Sequence, residues 1–319
     1  MLRPNLREPT FDTVAAPQLA RAWSDSQVQL AKVRDALHEV LPPFIACVAV
    51  SGSLARMEVH ADSDIDLLIV VDDRTVSVSD QQLESVFFDA WDRLDALGAT
   101  RPKHGGIFSV CARWKDLIDP AARGRIDESI TVFGHRIQLL MDAQPVTSDE
   151  TFVVLQRELL EWYSETRVAQ LFDESGPLHW LWQDVQRYWR SLRARTSWLY
   201  ADDPVNSLTL NTKLRSSRLL LVFAFLQTIA IAHETHAVGP GVIQSVVDHL
   251  YQTPAERLFG DNCQIEHWNS VWEFIRKQPE VAATSLPAAV NLDLQAISTW
   301  IQTEIVCHGD SPTGAEWTM

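Results

Sequence analysis

Cysteine is scarce in this chain. There are four in 319 residues, Cys47, Cys111, Cys263 and Cys307, far apart and without paired spacing, which excludes a disulfide framework and a structural zinc site. Long apolar runs are missing as well. The longest, Leu219 to Ala232, is short of a bilayer span and carries Gln227 and Thr228, so it reads as a buried helix with no membrane as partner. The opening MLRPNLREPT holds no apolar signal core, and the expected location is the cytoplasm. Basic residues are in deficit, 27 Lys and Arg against 42 Asp and Glu for a net charge of −15. That argues against a protein that coats nucleic acid, because phosphate binding needs a basic surface.

With 46% hydrophobic residues, the chain has material for more than one core and is read as two domains. The charge is partitioned between them. Residues 58 to 95 hold eleven acids against two bases, whereas 181 to 220 hold seven bases against three acids. The expectation is a pair of surfaces of opposite charge that complement each other.

Apolar spacing predicts a helix from Ala16 to Leu41, ended by Pro42-Pro43. Strands are expected at Phe44 to Val50 and at Ile65 to Val71, on either side of a Ser51-Gly52-Ser53 turn and a brief helix from Leu54 to Val59. Ser79 to Gln82 is a capping box for a helix to about Leu97. Gly105 to Val110 reads as a third strand and Arg136 to Asp142 as a fourth. Thr147 to Glu150 reads as a second capping box, with only helices after it. The expected domains are therefore 1–146, a small mixed sheet with a leading helix, and 147–319, a helical bundle. The fold class is α/β plus α.

The chemistry is concentrated in Val48 to Asp73, VAVSGSLARMEVHADSDIDLLIVVDD. One strand ends in Gly52-Ser53 at the mouth of a helix, and Asp64-Ile65-Asp66 opens the next. Residues i and i+2 of a strand share a face, so Asp64 and Asp66 project together towards the Gly-Ser turn. Two such carboxylates suit Mg²⁺ or Mn²⁺ bridged to substrate phosphates. Glycine lets the backbone approach a phosphate, and free N–H groups at a helix start would receive it.

Gly52-Ser53 followed by Asp64-x-Asp66 on the neighbouring strand resembles the signature of the DNA polymerase β nucleotidyltransferase superfamily. Gly52-Ser53-Leu54-Ala55-Arg56-Met57-Glu58 and Ser63-Asp64-Ile65-Asp66-Leu67-Leu68 are most similar to its branch of protein uridylyl- and adenylyltransferases. In that branch the residue before the arginine is glycine, where this chain has Ala55. The resemblance implies transfer of a nucleoside monophosphate from an NTP to an acceptor hydroxyl, on a protein or a small molecule, with release of pyrophosphate. It also implies a third carboxylate on a later strand. Met141-Asp142-Ala143-Gln144-Pro145 matches the acid-x-x-Pro ending of that strand, which nominates Asp142 as metal ligand or general base, with Asp127 as runner-up. Arg56 is a candidate phosphate contact, and Glu58 is read as its local structural partner.

In the helical half, Asp184, Arg187 and Tyr188 share a helix face, and Lys213-Leu214-Arg215-Ser216-Ser217-Arg218 precedes the most apolar helix. These segments resemble a set of bacterial proteins carrying the same motif. Superfamily members hold the triphosphate with a cation from the helical domain, so Lys213, then Arg187, is the candidate. Weaker constellations lack proper spacing: His233 with His236 is not HExxH, Cys263 with His267 and Cys307 with His308 lack a second ligand pair, and Ser109 and Cys111 lack a base. An RNA-directed enzyme would need a continuous basic path, which the acidic C-terminal third does not favour. A nonenzymatic nucleotide-binding regulator would not need three acids.

Overall fold

The structure, a computed structural model, describes residues 8–38, 41–60, 63–164, 178–199, 202–235, 240–259, 264–281 and 283–307. It is a small mixed sheet with its helices, followed by a run of helices. Residues 22–163 form one compact unit; residues 8–21, with those from 164 onward, form the other.

In the first unit, helix α1 (Pro17–Leu37) buries Trp23, Ser26, Leu30, Val33 and Leu37, three or four residues apart as an amphipathic helix requires. Strand β1 (Ile45–Ser51) leads into the single-turn helix α2 (Gly52–Ala55), shorter than the expected stretch to Val59. Strand β2 (Asp66–Val71) returns antiparallel to β1, with Val50 opposite Leu67 and Ser51 opposite Asp66. Apart from Ser51 and Asp66 at their facing ends, both strands are apolar, and they are buried from Cys47 to Ser51 and from Leu67 to Val71, as strands covered on both faces must be.

Helix α3 (Asp80–Asp95) starts on the expected capping box, with Ser79 and Gln82 exchanging hydrogen bonds. The third strand is displaced. Ile107–Ser109 is a 3-10 turn, and β3 is only Ala112–Arg113, parallel to the end of β2. Helix α4 (Trp114–Leu117) follows. The expected fourth strand is a helix, α5 (Ile130–Met141), buried from Phe133 onward. Seven residues are too few to tell a period of 2 from one of 3.6, and a helix buried all round loses its polar stripe. The strand lies just beyond it. β4 (Ala143–Thr147) pairs antiparallel with β1, completing the order β3-β2-β1-β4. Thr147 caps nothing: its Oγ1 accepts from Val48 N. Helix α6 (Asp149–Ser164) buries Phe152, Leu155, Leu159 and Leu160 within the first unit.

The second unit comprises α7 (His179–Leu199), α8 (Pro204–Lys213), a π-helical turn Leu214–Arg218, α9 (Leu219–Thr235), α10 (Pro240–His249), α11 (Pro254–Phe259), α12 (Gln264–Val281) and α13 (Ala288–Cys307). Asp293 joins α12 to α13, accepting from Ser270 Oγ at 2.6 Å and pairing with His267 Nδ1 at 2.8 Å. Asn269 Oδ1 accepts from the first amides of α1, Gln18 N and Leu19 N. The apolar run at Leu219 is longer than its sequence suggests, because Pro204–His233 is one helical stretch of 30 residues, long and apolar enough to cross a membrane. Its most apolar window is 67% buried inside the protein, which marks it as a core helix.

Glu256 and Thr253 form a buried capping box for α11, with Thr253 N donating to Glu256 Oε2 at 2.7 Å and Glu256 N to Thr253 Oγ1 at 3.3 Å. Burial pushes the Glu256 carboxyl up from 4.5 to about 7, against the hydrogen bonds from Thr253 that pull it down. The folded protein therefore keeps a proton that the unfolded chain releases near 4.5, so this carboxyl's contribution to stability is full below about 4.5 and is lost as pH rises to 7. Urea denaturation should show a loss of up to about 3 kcal/mol across that window, and Glu256→Gln should flatten it.

Candidate active site

The β1–β2 pairing sets the site. Gly52 follows Ser51 directly and turns the chain with φ of +72°, a conformation that glycine adopts without a Cβ penalty. A Cβ built on Gly52 would sit 2.5 Å from Asp66 Oδ2, inside van der Waals contact. Glycine is thus required twice over, for the turn and for the approach of the carboxylate. Burial across the entry to β2 alternates, with Asp64 exposed, Ile65 buried and Asp66 half-buried, so the two carboxylates lie on the side away from the core. Ser53 is half-buried, and its carbonyl accepts from Glu58 N at 2.8 Å.

Arg56 has a different setting from the one expected of a phosphate contact. It is 6% exposed, and its guanidinium donates through Nε to Glu58 Oε2 at 3.0 Å and through Nη1 to Asp142 Oδ2 at 2.6 Å. The group is committed to two buried carboxylates, since Glu58 and Asp142 are also sequestered from solvent. Asp142 does not project from a strand: it caps the C-terminus of α5 and lies beside β4, across β1 from β2. Asp127 is solvent-exposed and paired with Arg125 at 2.6 Å; that hydrogen bond holds its carboxyl below the ordinary range. Among the described residues, no group of three or more His, Cys, Asp or Glu is placed to hold a metal ion.

Lys213 and Arg187 belong to the second unit. Lys213 is half-buried at the end of α8, next to the π-helical turn, a distortion that recurs at functional sites. Arg187 is exposed and 3.7 Å from Asp184. The weak constellations gain nothing. Burial pushes the thiols of Cys47 and Cys111 up to about 12, which leaves no thiolate for nucleophilic attack; Cys263, His236 and His308 lie outside the described residues. A cavity of about 770 Å³ walled by Leu83, Phe87, Phe88, Cys111, Arg113 and His135 lies in the first unit, but Gly52, Asp64 and Asp66 do not line it.

Sequence reading missed Gln138. Its amide oxygen accepts from Ser51 Oγ at 2.5 Å, both groups being buried. The signal was a lone polar residue inside Ile137-Gln138-Leu139-Leu140, hidden once the segment was taken for a strand.

Residues 10–119, about a third of the chain, match the family described as "Putative nucleotidyltransferase DUF294". That stretch is similar to a family of putative nucleotidyltransferases. The match takes in the Gly52 turn, Asp64 and Asp66, so the residues with the tightest geometry fall within the matched stretch. No curated protein matches the chain.

Gly52→Ala should be severe for its size. The new methyl would strain a left-handed backbone and displace Asp66, a combination expected to cost about 1–3 kcal/mol. Denaturant unfolding checks this; the same substitution at Gly98, whose φ is +80° but which has open space around it, should cost less.

Proposed function

We propose that the protein is a Mg²⁺-dependent (or Mn²⁺-dependent) nucleotidyltransferase that transfers a nucleoside monophosphate from an NTP to the hydroxyl of a protein or small molecule, releasing pyrophosphate. The observation that carries this reading is the contact of the Gly52 turn with Asp66, which brings the start of a phosphate-binding turn against a carboxylate. The donor set suits the metal. Asp64 and Asp66 offer oxygen ligands only, and Mg²⁺ is held by one or two carboxylates when substrate phosphates complete its shell. When bound, the metal would neutralise charge on the triphosphate and lower the pKa of the acceptor hydroxyl.

The residues divide the remaining work. Gly52 and Ser53 bring backbone close to the phosphates, with no side chain at Gly52 to hold them off. Asp66, fixed by its register opposite Ser51, is the anchored ligand, while exposed Asp64 is the carboxylate open to the acceptor. In the transfer, the acceptor hydroxyl gives up its proton to solvent as its oxygen forms a bond to the α-phosphorus, the bond from that phosphorus to the bridging oxygen of the β-phosphate breaks, and pyrophosphate leaves with the electron pair. Lys213 and Arg187 are the proposed cations for the triphosphate. Their support is the basic character of their segments and the π-helical turn beside Lys213.

Incubation with each α-labelled NTP, Mg²⁺ or Mn²⁺ and a cell lysate should put label on a protein or small molecule. Asp64→Asn and Asp66→Asn should each reduce labelling by about 10³-fold or more, the scale of losing charge stabilisation worth several kcal/mol. Equal labelling by the double variant would overturn the metal assignment, and label confined to RNA would overturn the acceptor class. Lys213→Ala should raise the KM for NTP about tenfold, as loss of a charge-assisted phosphate contact does, and Arg187→Ala less.

A further inference from the structure

We infer that Gln138 and Asp142 are positioning residues that clamp the Gly52–Ser53 turn from both sides. Helix α2 is four residues long, too short to hold itself together. Its two flanks are tied to a single element. Ser51, immediately before it, makes no capping bond to α2; its hydroxyl donates instead to Gln138. Arg56, immediately after it, donates to Asp142. Gln138 and Asp142 are four residues apart, and Asp142 N still donates to Gln138 O at 3.0 Å. They therefore stand one helical turn apart at the end of α5 and grip the two ends of the turn at a fixed spacing.

The turn needs that grip. Met57 has φ of +61°, a left-handed conformation that a non-glycine residue adopts only when its surroundings impose it. Glu58 takes the Arg56 Nε and donates its own N–H back to Ser53 O. Val59 N donates to Ser26 Oγ on α1 at 3.1 Å, and Ser26 Oγ in turn donates to Ala22 O. Asp66 Oδ2 lies only 2.5 Å from where a Gly52 Cβ would sit, so a displacement of the turn changes its spacing to the carboxylate. Asp142, on this inference, acts on the reaction through Arg56 and the turn and touches neither metal nor acceptor.

The kinetic consequence rests on the proposed nucleotidyl transfer; the positioning itself does not. Hydrogen exchange on the full chain without substrate reads the positioning. Asp142→Asn and Arg56→Ala should each speed exchange of the 52–58 amides about tenfold or more while leaving the 67–71 amides of β2 unchanged, and the double variant should go no further than Arg56→Ala, because Asp142 acts through Arg56. Gln138→Ala, which leaves no buried charge, should speed the same amides and serves if Asp142→Asn does not fold. With an active acceptor, these variants should raise the KM for NTP more than they lower kcat, and Mn²⁺ binding measured by electron paramagnetic resonance should persist in Asp142→Asn and fail in the Asp64→Asn/Asp66→Asn variant. Unchanged exchange at 52–58 in both Gln138→Ala and Asp142→Asn would overturn the inference. So would loss of Mn²⁺ binding in Asp142→Asn, or a kcat drop of about 10²–10⁴ at constant KM, the mark of a lost general base. If wild type labels nothing, the proposed function falls, and the exchange measurement still decides the clamp.

Discussion

The backbone at Gly52 passes so close to the Asp66 carboxylate that a single methyl group would not fit between them, and much of the first unit is arranged around that approach. The antiparallel register of β1 and β2 puts Ser51 opposite Asp66, so the turn after one strand meets the start of the next. Sheet hydrogen bonds fix the register because a slip of one residue would send buried side chains to the wrong face. Those strands are apolar and sequestered along most of their length, which gives the register a large energetic stake.

Helix α5 shows how buried polar groups are made to serve that arrangement. It contains His135, Arg136 and Gln138, all buried, and each has a partner. His135 bonds Ile107 O through Nε2, and burial pulls its pKa down, leaving a neutral ring. Arg136 pairs with Glu128, donates to Leu117 O and lies 4.3 Å from the Trp162 ring centroid. Gln138 accepts from Ser51. An unpaired polar group at such depth would cost several kcal/mol, so these contacts specify where α5 docks.

The charge partition takes on another meaning at this scale. Much of the acidic stretch is matched within the first unit: Glu58 by Arg56, Asp72 by Arg74, Asp80 by Arg113 and Asp92 by Arg101. Asp73 accepts from Lys115 N. Arg74 also reaches Glu158 and lies 3.7 Å from the Trp114 ring centroid. A linear count of acids therefore described ion pairing as much as a metal site, because they are met by bases near in sequence and by others, like Arg113, distant in it.

The sequence alone determined the strands flanking the Gly-Ser turn, the Asp64 and Asp66 pair, the capping box of α3 and the helical character of the second half. Each is a local pattern, in which spacing of a few residues dictates geometry. The tertiary structure decided that 130–141 is a helix, that the last strand starts at Ala143, and that Arg56 faces two carboxylates. It also decided that Asp142 stands with Arg56. Those outcomes depend on which segment is buried against which, and a fully buried element carries little periodicity in its sequence. The motif nominated Asp142 as a strand carboxylate for a metal or an acceptor; its pairing with Arg56 is visible only where α5 ends beside the Gly52 turn.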